Sequence, residues 1–345
     1  MQNPSVQAYQ IIAPLKQNTW KMLAPLIALP LTCVASPSMA HVRWFVAEDA
    51  GERVNLNAIL LSNPIMIAWI FIALGMICTA IVLDSRLPVI PIANTKIRHD
   101  VMELMRIFTG MSLLLTAYEG ALIAPHLIAV GGMGTLLIFL QAFIGILLLS
   151  NHFIHIAAYL LGVLFLGMIL QFGILKSVEY INIIGIALFL LFNHHPSEQL
   201  REKLKPYSVA MLRIFTGIAL VILGFSEKVY GAMLGQAFLE NYPWNFMPFF
   251  GFDWFSDQIF VLSAGMMEVV LGTILVLGVV TRLNTLVIAG FMLLSNIVFL
   301  IQGAKDEALI EMIGHLPVIA TALILLLLGY GQRLKVTNLF AKDSA

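Results

Sequence analysis

Apolar stretches of about twenty residues succeed one another along this chain, separated by short polar segments. A helix needs roughly twenty apolar residues to cross a bilayer, so each stretch predicts a spanning helix. Nine are expected beyond the N-terminal region: residues 64–83, 103–124, 132–149, 156–174, 178–192, 207–230, 259–278, 286–301 and 316–329. Little more than LKSVE divides the fourth from the fifth. The pattern predicts an all-α integral membrane protein.

Composition points the same way. The chain is 60% hydrophobic and 11% charged, with a mean hydropathy of +0.94. A soluble domain carries about 25% charged residues, so the lipid bilayer is the solvent and the first partner. No basic patch with interleaved aromatics suggests a nucleic acid. The net charge of zero hides an asymmetry. With the N-terminal end outside, the inner segments hold ten Lys and Arg, among them Arg86, Arg201 and Arg282, and the outer segments five. The positive-inside rule then puts the C-terminus in the cytoplasm and the N-terminal end in the periplasm of a bacterial inner membrane.

The first 40 residues read as a signal peptide. Lys16 and Lys21 precede the short apolar MLAPLIALPLTCVA, and SPSMA supplies a small-residue cleavage site after Ala40. Cys33 would leave with it. Cys78 would then stand alone, so the chain cannot run a thiol–disulfide relay unaided.

The pentapeptide RIFTG occurs twice, at 106–110 and 213–217. Further on, LQAFIGILLL aligns with MMEVVLGTILVL, pairing Gln141 with Glu268 and Gly145 with Gly272. Four spans follow the start of each copy, and both copies begin and end inside. The expected organisation is a periplasmic segment at 41–63, one helix with a linker at 64–99, and two parallel four-helix repeats at 100–206 and 207–335. A tail follows at 336–345. Such repeats are related by an axis along the membrane normal. Arg106 and Arg213 either anchor to lipid headgroups or grip an acid or anionic ligand.

Ionisable groups at membrane depth are costly and invite a functional reading. Glu268 lies near the middle of its span, where its counterpart Gln141 cannot titrate. Glu227 and Lys228 close the first helix of the second repeat. Lys228 either turns toward Glu268 or snorkels outward, and two consecutive helical residues are not natural partners for each other. The following loop carries nine aromatics in AMLGQAFLENYPWNFMPFFGFDWFSDQ. It reads as an interfacial lid or as an entrance for a flat apolar molecule, with Trp244, Phe249, Phe250 and Trp254 as its candidates. Glu311 and His315 stand at helical i,i+4 spacing. His41 would be the N-terminal residue after cleavage. Its amine and imidazole suit copper(II), and His126 or His315 would have to complete such a site.

The second repeat resembles the DoxX family of small four-helix bacterial membrane proteins. The resemblance rests on LRIFTGIALVILGFSEKVYG, SAGMMEVVLGTILVLGVVTRLNTLVIAGFMLL and HLPVIATALILLLLG, and covers residues 207–335. The first repeat looks like a diverged copy. Some relatives are membrane subunits associated with thiosulfate:quinone oxidoreductase. The resemblance therefore implies a quinone-interacting subunit or accessory of a redox complex, with quinone as cofactor and a redox partner protein. Glu268, Lys228, Glu227 and Arg213 are then the candidate catalytic residues. Two other readings stay open: a transport or binding protein for a small apolar or metal solute, and a structural partner subunit.

Overall fold

A computed structural model describes residues 41–46, 63–88, 90–93, 95–329 and 333–340, which belong to one compact unit. The expected signal peptide, most of the 41–63 segment and the end of the tail lie outside the described residues. The described chain is helical without a strand; its one isolated β-bridge joins Ala121 to Ile128.

Eight described helices or helical stretches are long and apolar enough to cross a membrane. Helix α1 (Pro64–Arg86) begins where the Asn63 side chain accepts the Ile65 N–H and Pro64 takes the first position, both favoured at a helix start. Then come α2 (Thr95–Tyr118), α3 (Gly131–Leu149) and α4 (Ile154–Phe172). The expected fifth span is different. Gly173, at positive φ, ends α4; the one-turn α5 (Ile174–Val178) follows, and a turn at residues 179–181 separates it from the thirteen-residue α6 (Asn182–His194). At 1.5 Å per residue α6 is about 20 Å long, shorter than a typical ~30 Å hydrocarbon core. After α7 (Glu198–Leu204), the second set comprises α8 (Ser208–Leu223), α9 (Ala232–Asn241), α10 (Asp257–Leu277), α11 (Thr281–Ile301) and α12 (Lys305–Leu328), with a last turn α13 (Thr337–Phe340).

Within the first set α2 packs on α3, α3 on α4 and α4 on α6; within the second α8 packs on α10, α10 on α11 and α11 on α12. Between the sets α6 packs on α8 and α12 on α2. The last helix of each bundle thus lies on the first helix of the other, a reciprocal contact that a twofold axis generates. Helix α1 stands outside the duplication against α10. Asp84 fixes its end by accepting from the Val280 N–H and pairing with Lys335. Its lipid-facing side leaves Phe71 and Leu74 exposed.

The duplication extends to detail. Arg106 donates to the carbonyls of Leu148 and Leu149, and Arg213 to those of Leu275 and Val276. In each bundle the arginine of the first helix therefore caps the C-terminus of the second, where unsatisfied carbonyls and the negative end of the helix dipole both favour a cation. Both arginines are buried; Arg106 also donates to the Glu103 carboxylate one turn earlier, and Arg213 to the Leu334 carbonyl. The glycines of RIFTG allow the approach. A Cβ on Gly217 would stand 2.7 Å from the Gly272 carbonyl oxygen, and one on Gly110 would stand 3.0 Å from that of Gly145. Small residues permit such close helix packing in membranes. The turn that follows is also duplicated, with positive φ at Asn151 and Phe153 and again at Gly278 and Val280.

Candidate functional site

The two bundles part company where α8 ends. Residues Gly224–Val229 continue it as a π-helix, and the Tyr230 N–H reaches back to the Phe225 carbonyl at 2.7 Å. Such insertions re-aim side chains and are frequent at functional sites. Here Glu227 and Lys228 are both buried, yet they serve different partners. Lys228 Nζ donates to both oxygens of Glu268, at 2.8 and 2.9 Å. Glu227 accepts the backbone N–H of Val42 at 2.9 Å and lies 3.8 Å from Arg43. Arg43 also approaches Glu179 at 3.4 Å, and Ser226 donates to that same carboxylate at 2.7 Å.

The segment at 41–46 is built into this site. The His41 ring stacks on Trp44 with centroids 4.3 Å apart and lies 5.3 Å from His315 and 5.9 Å from Tyr180. Gly314 leaves the space that the Trp44 indole fills, and Trp44 Nε1 donates to the Tyr180 hydroxyl at 3.1 Å. Phe45 packs among Phe238, Tyr242 and Phe299. Burial pushes the His41 imidazole well below its ordinary pKa, and His315, Lys228 and His126 push the same way. Burial raises the Glu179 carboxyl against the pull of Arg43 and Ser226. It also raises the Tyr180 hydroxyl, helped by Glu227 and Glu179.

Beneath this cap lies a cavity of about 120 Å³, where both bundles meet. Glu179, Glu227, Glu268 and Glu311 line it together with Lys228, His41 and His315. Ser295 donates to Glu311 at 2.7 Å, and His315 Nδ1 stands 3.8 Å from the same carboxylate. Among the described residues, Arg43 lies within ion-pair distance of Glu179 and Glu227, Lys228 pairs with Glu268, and Glu311 has only the His315 imidazole at that range. Four buried carboxyls so sparsely matched by cations are costly to ionise together in a low-dielectric interior. The cluster can therefore hold protons on carboxyls or imidazoles. Among the described residues, one buried oxygen of Glu311 and the Nδ1 atoms of His41 and His315 have no hydrogen-bond partner.

The residues singled out in the sequence divide three ways. Glu268, Lys228 and Glu227 meet at the cavity. Arg213 lies beyond its far end, capping α10. The aromatic loop does not border the cavity. Trp244 is 3% exposed and bonded through Nε1 to Gln302, while Phe249, Phe250 and Trp254 face outward at 87, 63 and 68%. The inner side of the loop instead forms the aromatic cluster around Phe45. His41 and His315 come together, and His126 approaches Tyr180 with ring centroids 6.0 Å apart. No group of three or more metal-ligating side chains gathers among the described residues.

Sequence reasoning missed Glu179, Tyr180, Arg43 and Trp44. Glu179 carried one legible signal: a carboxylate between two apolar spans, next to a Gly173 that breaks the helix. The density of polar and aromatic groups in HVRWF was the other. No protein-family model, no curated protein and no solved structure matches the chain.

Proposed function

We propose that this protein is a proton-handling subunit of a quinone-linked redox system in a bacterial inner membrane, with the His41 end periplasmic and the C-terminus cytoplasmic. The observation that carries the proton-handling part is the buried cluster of four carboxyls, which among the described residues pair with two cations, Arg43 and Lys228. Lys228 holds Glu268 in place, and the remaining acids and the two imidazoles exchange protons through the cavity. The quinone and the redox partner rest on the DoxX resemblance. A cavity of about 120 Å³ is smaller than the ~150 Å³ that holds one benzene. A quinone ring would accordingly dock outside it and receive protons from it. The same size argues against a storage pocket for a large apolar solute.

Glu268→Gln keeps the shape, removes one carboxylate of the cluster and leaves the Lys228 ammonium without its charged partner. Quinone-linked proton uptake by membranes containing the variant should fall severalfold. Unchanged uptake would favour a structural subunit. Native mass spectrometry of the gently purified protein provides the second readout. A retained quinone supports the proposal, and retained copper would instead promote the His41–His315 pair.

A further inference from the structure

The cavity is long and thin, and its length runs with the helices. On α12 its lining extends from Glu311 and His315 through Thr321 to Leu325. These positions follow the three- and four-residue steps of one helix face, and fourteen residues at 1.5 Å each span ~21 Å. The same holds along α8 and its π-helical continuation, where the lining runs from Thr216 through Leu220 and Leu223 to Glu227. Opposite them, α11 contributes Ser295 level with Glu311 and Thr285 at the deep end. A volume of about 120 Å³ spread over such a length leaves a small mean cross-section. At ~30 Å³ each it accommodates about four waters.

The deep half of the crevice is apolar except for hydroxyls. Thr285 and Thr321 each donate to the carbonyl four residues back, at 2.7 and 2.9 Å, which leaves their oxygen lone pairs to accept from water. The Thr216 hydroxyl is buried and has no partner among the described residues. Pro317, which also lines the crevice, has no N–H to give the Ile313 carbonyl, freeing one more acceptor. The crevice reaches Leu275, whose carbonyl holds Arg213. A chain of acceptors without fixed charge therefore runs from the acid cluster to the capped end of α10.

We infer that this crevice is a single file of water, a proton path linking the Glu227–Glu268–Glu311 cluster with the Arg213 end of the membrane domain. Each transfer moves a proton from one water or hydroxyl to the next and leaves the donor ready to accept another, so nothing is oxidised and no bond other than O–H is made or broken. The inference deepens the proton-handling reading and rests on it for its purpose, though not for its geometry.

Cysteine accessibility tests it in the full-length protein, reconstituted in lipid with Cys33→Ala and Cys78→Ala as background. Ala219→Cys and Ala322→Cys place small thiols on the crevice wall. Ala320→Cys places one in the packed apolar core as a control. Silver ion, about as narrow as water, should block later alkylation at 219 and 322 and leave 320 reactive on unfolding. A bulky charged methanethiosulfonate should block none. Crevice thiols untouched by silver would mean a dry seam and overturn the inference. Block by the bulky reagent would overturn it in favour of a wide solute pocket. Monodisperse elution screens each variant for folding, and either crevice position suffices. Because the readout needs no redox turnover, silver accessibility with unchanged Glu268→Gln activity would sink the redox role while sparing the water file.

Discussion

The two bundles share arginine caps, glycine contacts and turns, yet they treat the same interior position in opposite ways. In the first, Gln141 is fully used by its surroundings. Its Nε2 donates to the Leu113 and Ala121 carbonyls and to Thr116, and its Oε1 accepts the Ile123 N–H. A tight loop closes over it. In the second, Glu268 meets Lys228 beside a cavity, and a long aromatic loop and the 41–46 segment form the cover. Ala121 stands as far beyond Arg106 as Lys228 stands beyond Arg213. Met168 likewise stands as far beyond the first left-handed turn as Ser295 stands beyond the second. At these matching positions the first copy carries alanine and methionine and the second lysine and serine, although the first copy lends Glu179 to the shared cavity. Because buried charges cost stability unless paired, the Lys228–Glu268 pair in only one copy is not a requirement of the bundle itself.

The largest expected effect comes from breaking that asymmetry at its charge pair. Lys228→Met leaves Glu268 without its ammonium in a buried site. It should destabilise the protein by about 3–5 kcal/mol, read as a lower midpoint of thermal unfolding in detergent. Lys228→Met with Glu268→Leu should recover most of the loss, because an apolar pair of similar volume carries no desolvation cost. A double variant as unstable as the single one would mean that the pair is not the coupled unit the geometry indicates.

The converse change is to give the first bundle an acid. Gln141→Glu puts an oxygen where Nε2 now donates to two carbonyls, with no lysine at Ala121 to compensate. A loss of about 3 kcal/mol is expected from the unsatisfied acceptors and the buried carboxyl. No new proton uptake should appear. If the variant is as stable as the parent, the first bundle is more open than its hydrogen bonds imply. A smaller and symmetrical effect is expected at the caps. Arg106→Met and Arg213→Met each remove charged hydrogen bonds to helix carbonyls, worth about 1.5–3 kcal/mol. Similar losses in both would confirm that the arginines are a shared structural device; a much larger loss of proton uptake at Arg213 alone would give it a second role.

Much of this contrast was readable in the sequence. The apolar runs, the doubled RIFTG and the pairing of Gln141 with Glu268 follow from local pattern, because membrane helices declare themselves by length and hydropathy. The carbonyl partners of the arginines were not readable, since backbone carbonyls leave no trace in a sequence; the Glu103 partner of Arg106, three residues back, was within reach of it. Nor was the π-helix, which depends on i→i+5 bonding rather than on residue type. The aromatic loop was only half readable, because pattern does not say which side of a loop packs. Of its four candidates Phe249, Phe250 and Trp254 face outward, whereas Trp244 packs on Phe238 and Phe299. Val42, Glu227 and Glu179 are far apart in the chain, and only tertiary packing unites them.

The cover over the second bundle is the last place to sharpen the comparison, because the first bundle has no equivalent. His41 is held neutral by burial, with His315, Lys228 and His126 facing it. Its pKa is below the unfolded value of about 6.5. The stabilisation its docking contributes is therefore complete above pH ~6.5 and is lost as pH falls below that, where protonation favours the released form. Hydrogen–deuterium exchange of the 41–46 segment, corrected for the intrinsic pH dependence of amide exchange, should consequently rise on acidification. The reporter is the Val42 amide, protected by Glu227. His41→Phe keeps the stack on Trp44 and removes the imidazole's share of the pH dependence, so its exchange should rise less across the same range. If parent and variant change alike, the imidazole does not govern the cover. Arg43, bridging Glu227 and Glu179, would then be what holds it closed.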